Sequence, residues 1–316
     1  MGEIGNNFKA QGAIEYLLII GAAILVVAIV ILAVTGVLSG GQSQTSVGVT
    51  SVNDSFDTLK ESSNNFIKVD GQYYTKSDPI LVGLSDLWHL NDSNADAISS
   101  GKGLTFVSTP NVFEYSDGLF GSGISSNGGT QSPIASALGV GVDSSKGFTI
   151  SAWIKGAPYS TQGTTVCDAG IVSSESANVY YTPRQAWSLS MCIYGRTNKA
   201  VIFATDGSIT YGKPQLIISS KSDVRNNNWH SVVMTLSTDP ANSFARLYVD
   251  GNLEASDIPK NIFPGHVKTS NVYVGTSQSN GVSKFVGEID ELKIWNRALT
   301  DAEIKTLFVN ATKGAS

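Results

Sequence analysis

The distribution of apolar and polar residues divides the chain into two contrasting parts. Near the N-terminus the chain carries no charge from Tyr16 to Leu38, whereas from Ile80 onward short runs alternate between large apolar and small polar residues. An uncharged run of that length lets an α-helix cross a hydrocarbon core of about 30 Å. Alternation interrupted by Gly, Asn and Ser clusters is typical of antiparallel strands. We therefore predict a single N-terminal hydrophobic α-helix followed by an all-β antiparallel sandwich.

Several segments of the second part carry clear strand, turn or helix patterns. Strands are predicted at 148–154, 229–236 and 285–295. Asp250-Gly251 predicts a type I′ hairpin turn, because that turn needs positive φ at both central residues. Residues 300–303 read Thr-Asp-Ala-Glu, a capping box that predicts a short helix ending at 307 or 308.

Glycines and polar runs set the predicted boundaries. Gly40 and Gly41 end the hydrophobic helix, and the polar residues after them indicate a stalk or connector up to the Asp78-Pro79 turn. The predicted organisation runs from N- to C-terminus as a leader 1–10, a helix 11–39, a connector 40–79, a folded domain 80–309 and a tail 310–316.

Composition narrows the classes of molecule that this protein is expected to bind. The 316 residues have a net charge of −5 and a pI near 5.2, so a nucleic-acid partner is not expected. Charged residues are 15% of the chain against about 25% in a typical soluble domain, which suits an exported domain with a neutral polar surface. Outside the cell, Cys167 and Cys192 could form a disulfide; two buried thiols are the alternative.

The residues just before the hydrophobic helix carry a processing pattern. Lys9-Ala10-Gln11 and Glu15 resemble the precursors of archaeal type IV pilins, whose class III signal peptide reads Gln-x-Ser-x-Glu-x-x-x-Leu. Ala13 stands at the Ser position and Ile19 at the Leu position. The resemblance implies that a prepilin peptidase cleaves between Ala10 and Gln11 and that the precursor is inserted in the membrane. An uncleaved anchor and an ordinary secretory signal are the alternatives, although the apolar run is too long for the latter.

Glu15 needs a partner because a carboxylate in an apolar helix is costly. Cleavage would create an α-amino group on Gln11, about one helical turn from Glu15, that can pair with Glu15 of a neighbouring helix. This pairing would set the stagger between packed helices of other pilin subunits in a filament.

The second part also resembles a known family. Residues 87–90, 147–154, 229–233, 247–251 and 287–299 are similar in sequence and order to laminin-G-like, concanavalin A-like jelly rolls. The resemblance implies a jelly-roll fold over 80–309 that serves lectins, adhesion modules and glycosidases alike, so it does not by itself give a function.

One strand motif is a candidate for catalysis. Residues 288–291 read Glu-Ile-Asp-Glu and are similar to the motif of jelly-roll glucanases, in which two carboxylates about 5 Å apart act on one face. With a period of two, Glu288, Asp290 and Leu292 would share a face. Lys293 stands where the third acid of that motif belongs, so we do not expect an enzyme.

The same strand offers a candidate metal ligand. Asp290, with Asp92 and Asp96, could supply oxygen ligands for calcium, as in many laminin-G-like sandwiches. The alternative is that Asp290 caps a turn or pairs with Arg297.

Two further sets of residues are candidates for a role at the protein surface. An aromatic stretch containing Tyr180, Tyr181, Arg184 and Trp187 could stack on a sugar or contact a protein. Asn53, Asn91 and Asn310 begin glycosylation sequons, which an exterior location would make usable.

Together these patterns predict a subunit of an archaeal type IV pilus-like filament on the cell surface that displays a laminin-G-like domain for adhesion or for recognition of a glycan or surface protein. The alternative is a membrane-anchored or arrayed carbohydrate-binding protein for sugar capture, and a glycosidase is a third. The sequence does not distinguish a major subunit from a minor or tip subunit.

Overall fold

The computed structural model describes the second part of the chain. The described residues are 65–91, 104–106, 114–127, 135–138, 140–158, 169–175, 188–193, 197–205, 216–257, 269, 271–276 and 285–314. Contacts group Ile67–Ser316 into one compact unit. The predicted leader, the cleavage site at Ala10 and Gln11, Glu15 and the hydrophobic helix lie outside the described residues. Within those ranges, no helix has the length and apolar character needed to cross a membrane.

The described residues form seventeen strands, a 3-10 helix at Pro79–Leu81 and one α-helix, α1 (Asp301–Gly314). The strands are β1 (Phe66–Val69), β2 (Gln72–Thr75), β3 (Leu84–Trp88), β4 (Thr105–Phe106), β5 (Glu114–Asp117), β6 (Ser122–Asn127), β7 (Ala135–Leu138), β8 (Phe148–Gly156), β9 (Ala169–Glu175), β10 (Ser188–Ile193), β11 (Lys199–Thr205), β12 (Leu216–Asp223), β13 (Trp229–Asp239), β14 (Asn242–Val249), β15 (Asn252–Asp257), β16 (Asn271–Val274) and β17 (Val286–Trp295).

The strands make two large sheets and one small hairpin. One sheet has the order β12-β11-β10-β9-β16-β7-β4, and the other has the order β15-β14-β13-β8-β17-β6-β5, with β3 also paired to β17. The pairs within both sheets are antiparallel, and β1 and β2 form a separate two-stranded hairpin. The predicted all-β antiparallel sandwich is therefore confirmed.

The main core lies between the two sheets and is built by alternation. From β8, every second residue is buried in it, and β10, β11 and β13 contribute in the same way. Strand β9 contributes Ala169, Ile171 and Val172. The β8 members are Phe148, Ile150, Ala152 and Ile154. Burying one such side chain contributes about 1.5–3 kcal/mol, so this layer supplies the main stabilisation.

A second apolar cluster covers the outer face of the β8–β17 sheet. It joins side chains of β1, β2, the 3-10 helix and α1 to outward-facing side chains of the sheet. Its members are Val69, Tyr74, Ile80, Leu81, Leu87, Val233, Tyr248, Trp295, Leu299, Ile304 and Leu307. The β1–β2 hairpin thus belongs to the folded unit, although the sequence placed it in the connector 40–79. Val69 is fully buried and Tyr74 is nearly so, and the burial of these two side chains holds the short hairpin on the sheet.

Local sequence patterns correspond closely to the observed elements. The strands predicted at 148–154, 229–236 and 285–295 are found as β8, β13 and β17. The Asp250-Gly251 turn has φ of 51° and 70°, as a type I′ turn requires. In the capping box, Glu303 N donates to Thr300 Oγ1 at 3.3 Å and Thr300 N donates to a Glu303 carboxylate oxygen at 2.8 Å. Helix α1 is longer than predicted and includes most of the predicted tail.

Candidate functional site

Six side chains with polar groups meet on the outer face of the β8–β17 sheet, and we call them the outer-face polar cluster. They come from the β1–β2 turn, the end of β3, β8 and β17. The six are Asp70, His89, Trp153, Asp290, Glu291 and Lys293. Three of them lie in or beside the strand motif that the sequence singled out.

A bulge in β17 assembles this cluster. Asp290 is paired with Trp153 and Lys293 with Ser151, so β17 has one residue more than β8 between these two pairs. Glu291 takes up the extra residue with a φ of 48°. Lys293 therefore shares the outer face with Asp290, whereas Leu292 packs into the core between the sheets. The prediction that Leu292 shares a face with Glu288 and Asp290 is wrong, because the period of two breaks at Glu291.

Lys293 and Asp70 form the centre of the outer-face polar cluster. The Lys293 side chain has no exposed surface and that of Asp70 is 4% exposed. Lys293 Nζ contacts Asp70 Oδ1, and Trp153 Nε1 donates to the same oxygen at 3.0 Å. Asp70 occupies the β1–β2 turn with a φ of 49°, followed by Gly71 at 71°. This buried contact thus ties the hairpin to the last strand.

Glu291 connects the centre to His89. One Glu291 carboxylate oxygen accepts the Asp70 backbone N–H at 3.1 Å, and the other lies 2.6 Å from His89 Nδ1. Burial opposes the charged form of His89, but the hydrogen bond and charge of Glu291 outweigh it and raise the pKa of His89. Glu291 therefore fixes both the hairpin turn and the end of β3.

Asp290 caps a turn from the same strand. Its Oδ2 accepts the backbone N–H groups of Leu119 and Phe120 at 2.9 and 3.0 Å, and its Oδ1 accepts that of Glu291 at 2.8 Å. Burial and the neighbouring Glu291 raise the pKa of Asp290 to about 7. This is the turn-capping role that the sequence left open as an alternative to calcium.

Calcium binding by Asp290 stays a prediction. Asp92 and Asp96 lie outside the described residues, and among the described ones no group of three His, Cys, Asp or Glu side chains is placed to hold a metal. The suggested Asp290–Arg297 pair is not formed, because Arg297 donates two hydrogen bonds to the Glu303 carboxylate at 3.0 and 2.6 Å.

Aromatic rings enclose the outer-face polar cluster. The Trp153 ring lies 5.8 Å from the Phe120 ring in an edge contact and 5.8 Å from the Phe308 ring in a stacked contact. Phe120 also lies against Gly71, where an added Cβ would come within 2.7 Å of the Phe120 ring. Helix α1 and the 118–121 turn therefore exclude solvent from the buried charges.

The arrangement does not fit glycoside hydrolysis at this motif. Asp290 and Glu291 are buried and accept hydrogen bonds from their own domain, while Glu288 pairs with Lys155 at 3.0 Å. A glycosidase needs two carboxylates that reach the substrate. Asp290 and Glu291 instead hold the outer layer on the sheet, and Glu288 links β17 to β8.

Several other predicted site residues lie outside the described ranges. These are Cys167, Asn53 and the aromatic stretch of Tyr180, Tyr181, Arg184 and Trp187. Cys192 is fully buried in β10 and is not a free thiol, but its pairing with Cys167 stays a prediction.

The two described sequon asparagines both donate hydrogen bonds. Asn91 Nδ2 donates to Phe120 O at 3.1 Å, and Asn310 Nδ2 donates to Tyr74 Oη at 3.2 Å. Glycosylation of Asn53, Asn91 and Asn310 stays a prediction.

Three residues of the outer-face polar cluster were not singled out from the sequence as site residues, namely Asp70, His89 and Trp153. The Asp70-Gly71 dipeptide lies between two short runs and is itself a hairpin signal of the kind recognised at Asp250-Gly251. No local signal indicates that its carboxylate meets Lys293, which is 223 positions away.

The fold and sequence assign a family. The model of the concanavalin A-like lectin/glucanases superfamily, in its laminin G form, matches residues 127–305, which is more than half of the chain. The chain belongs to this family. No curated relative matches it in sequence.

Several solved structures are similar to this chain. Domain 4 of AbnA, a GH43 extracellular arabinanase from Geobacillus stearothermophilus solved in complex with arabinotriose, is 18% identical with a TM-score of 0.50, covering 71% of this chain and 97% of that one. The botulinum neurotoxin serotype G binding domain is 20% identical with a TM-score of 0.47, covering 68% and 48%. The binding domain of Paraclostridial Mosquitocidal Protein 1 is 19% identical with a TM-score of 0.48, covering 71% and 51%. This chain therefore spans about half the length of the two toxin domains.

Proposed function

We propose that this protein is a subunit of an archaeal type IV pilus-like surface filament and that its laminin G-like jelly roll is displayed outward for adhesion. The observation that carries the proposal is the order of features along one chain. A Lys9-Ala10-Gln11 processing pattern with Glu15 precedes an uncharged run to Leu38, and a concanavalin A-like domain follows.

The proposed mechanism is assembly and recognition without bond chemistry in the ligand. The precursor is held in the membrane by its hydrophobic helix, and a prepilin peptidase removes residues 1–10. Extraction of the helix is offset by packing against the helices of other subunits and by the pair between the Gln11 amine and Glu15. The jelly roll then meets a glycan or a surface protein outside the cell.

The geometry of β17 supports a binding role over a catalytic one. Its two most buried acids accept backbone hydrogen bonds from their own domain, and Lys293 occupies the position at which a glucanase motif needs a third acid. Binding of calcium through Asp290, Asp92 and Asp96 remains part of the proposal, with the ion as a local organiser of loops.

A carbohydrate-binding array is the second candidate. It would use the same signal and helix but serve sugar capture, and the family, whose description includes lectins, supports it equally well. Both candidates share the glycan-binding domain. They differ in whether the helices assemble into an extended filament.

Filament incorporation of a Glu15→Gln variant tests the proposal in the native host. Because the pair with the Gln11 amine needs a carboxylate, the variant should be processed normally but recovered in filaments at least about tenfold less than the wild type, a loss of about 1.4 kcal/mol per subunit contact. Glu3→Gln is the matched control, since Glu3 is removed with the leader and should leave incorporation unchanged.

The same preparation reports on processing. Peptide mapping of surface-extracted protein should find Gln11 as the first residue. Recovery of intact Met1 as the main species would contradict the assembly role and favour an anchored protein. Wild-type levels of Glu15→Gln in filaments would contradict the pairing of Glu15 with the Gln11 amine.

A further inference from the structure

An amine and a carboxyl group are sealed together in the outer-face polar cluster. Lys293 Nζ contacts Asp70 Oδ1, and both side chains are excluded from solvent by the packing around them. Separated ions in such a site cost several kcal/mol each, whereas the neutral amine and carboxylic acid that result from proton transfer within the pair cost less. We propose that Lys293 and Asp70 are joined by an intramolecular amide bond. The inference goes beyond the proposed function and does not depend on it.

The reaction balances as a condensation. The neutral Lys293 amine attacks Cγ of the protonated Asp70 carboxyl, a C–N bond forms, and a C–O bond breaks. The nitrogen loses one proton and the leaving hydroxyl gains one, so one water molecule leaves and no oxidant or cofactor is consumed. Holding the two groups in contact replaces a bimolecular encounter and favours the reaction by proximity.

Two neighbouring groups fit the needs of this step. Trp153 Nε1 donates to Asp70 Oδ1 at 3.0 Å, and that oxygen carries the developing negative charge when the amine adds to Cγ. Glu291 is the second carboxylate of the site and is held at the Asp70 backbone by a 3.1 Å hydrogen bond. Its charge raises the pKa of the Asp70 carboxyl and so favours the protonated form that the amine attacks.

The surroundings favour the neutral pair. Burial raises the pKa of the Asp70 carboxyl, and the charge of Glu291 acts in the same direction against the lowering effect of Lys293. The rings of Phe120 and Phe308 flank Trp153 and keep water from the site. Exclusion of water also protects the amide from hydrolysis once it has formed.

The bond would close a covalent loop between Asp70 and Lys293, which are 223 positions apart. Asp70 lies in the first described hairpin and Lys293 in the last strand, so the loop encloses nearly all of the jelly roll. A cross-link over such a long loop removes much of the conformational freedom of the unfolded chain. Tension arriving from the N-terminal side would reach β17 through a covalent bond.

Tryptic mapping of the reduced full-length protein tests the proposal directly. Without the bond, trypsin releases separate peptides 69–76 and 285–293. With it, cleavage after Lys293 is blocked, and peptide 69–76 is recovered linked to peptide 285–297 at the summed mass less one water. Intact mass alone is insufficient, because a succinimide at Asp70-Gly71 would lose the same water. The separate peptides as the main species would overturn the proposal.

Lys293→Arg is the matched variant. Arginine keeps the positive charge opposite Asp70, but its guanidinium does not act as the nucleophile. The linked peptide should be absent, and the melting temperature should fall by about 10–20 °C. A linked product involving peptide 69–76 that persists in Lys293→Arg would assign the bond to another residue and also overturn the proposal. The tryptic peptide map of the wild-type protein tests for the amide bond even if the variant folds poorly.

Discussion

Single residues of β17 determine how the outer layer is held. The strand places Asp290, Glu291 and Lys293 beneath the hairpin, the 118–121 turn and α1. Asp290 accepts hydrogen bonds from the turn, Glu291 accepts one from the hairpin backbone, and Lys293 contacts the hairpin carboxylate. An unpaired charge at the Lys293 position would cost several kcal/mol, so the hairpin and the strand depend on each other. Residues that a motif suggested for catalysis serve here to attach secondary structure.

Glu303 provides a pH-dependent test at the residue scale. The Arg297 guanidinium lowers the pKa of Glu303 to about 2, below its unfolded value of 4.5. A carboxyl with a depressed folded-state pKa stabilises the protein above its unfolded pKa, and this contribution disappears as the pH falls through the folded one. Since Glu303 is partly exposed, we expect Glu303→Gln to lower the free energy of unfolding by about 1–2 kcal/mol at pH 7.

Urea unfolding of both proteins between pH 7 and pH 2 measures this difference. It should shrink below about pH 5 and vanish near pH 2. A difference that stays constant over the whole range would show that the capping hydrogen bonds of Glu303, and not its charge, provide the stabilisation.

At the scale of elements, the β1–β2 hairpin and α1 act as a cover for one face of the sandwich. The hairpin supplies Val69, Tyr74 and Asp70, and α1 supplies Leu307 and other side chains of the same apolar cluster. A short two-stranded hairpin is marginal by itself, so its order derives from this docking. The folded unit therefore begins before the predicted boundary at 80.

Two fragments test that dependence. A fragment 65–316 keeps the hairpin, whereas a fragment 80–316 removes Asp70 and leaves Lys293 buried without its partner. We expect the shorter fragment to lose about 3–5 kcal/mol, seen as a melting temperature lower by about 10 °C or more.

Lys293→Met in the shorter fragment is the matched control. It removes the unpaired charge and should recover part of the lost stability. Equal melting temperatures of 65–316 and 80–316 would show that the hairpin is dispensable for the fold.

At the scale of the whole molecule, the proposed filament and the displayed domain have separate tasks. The helix outside the described residues would provide assembly, and the jelly roll would provide recognition. The outer face of the β8–β17 sheet is already covered by the hairpin and α1. The aromatic stretch 180–187 stays the predicted contact surface for a ligand.

Binding by the displayed domain tests that surface. Purified full-length protein applied to a glycan array and to surface-layer protein should bind, and Trp187→Ala should weaken binding about tenfold, a loss of about 1.4 kcal/mol. Tyr115→Ala is the control, because Tyr115 is an exposed aromatic residue on β5, an edge strand of the β8–β17 sheet. Equal weakening by both substitutions would place the binding site elsewhere.

Local sequence alone determined several elements of this protein. Alternation predicted β8, β13 and β17, the Asp-Gly pair predicted the β14–β15 turn, and the capping box predicted the start of α1, because each depends on residues near one another in the chain. The sandwich class followed from the number and spacing of these strands.

The tertiary structure alone decided which side chains meet. The bulge at Glu291 reverses the face of Leu292 and gives the outer face to Lys293, and a period of two contains no information on such an insertion. Asp70 and Lys293 come together only because the hairpin docks against the last strand. Contacts between residues 223 positions apart depend on the packing of all the elements between them, which no local pattern encodes.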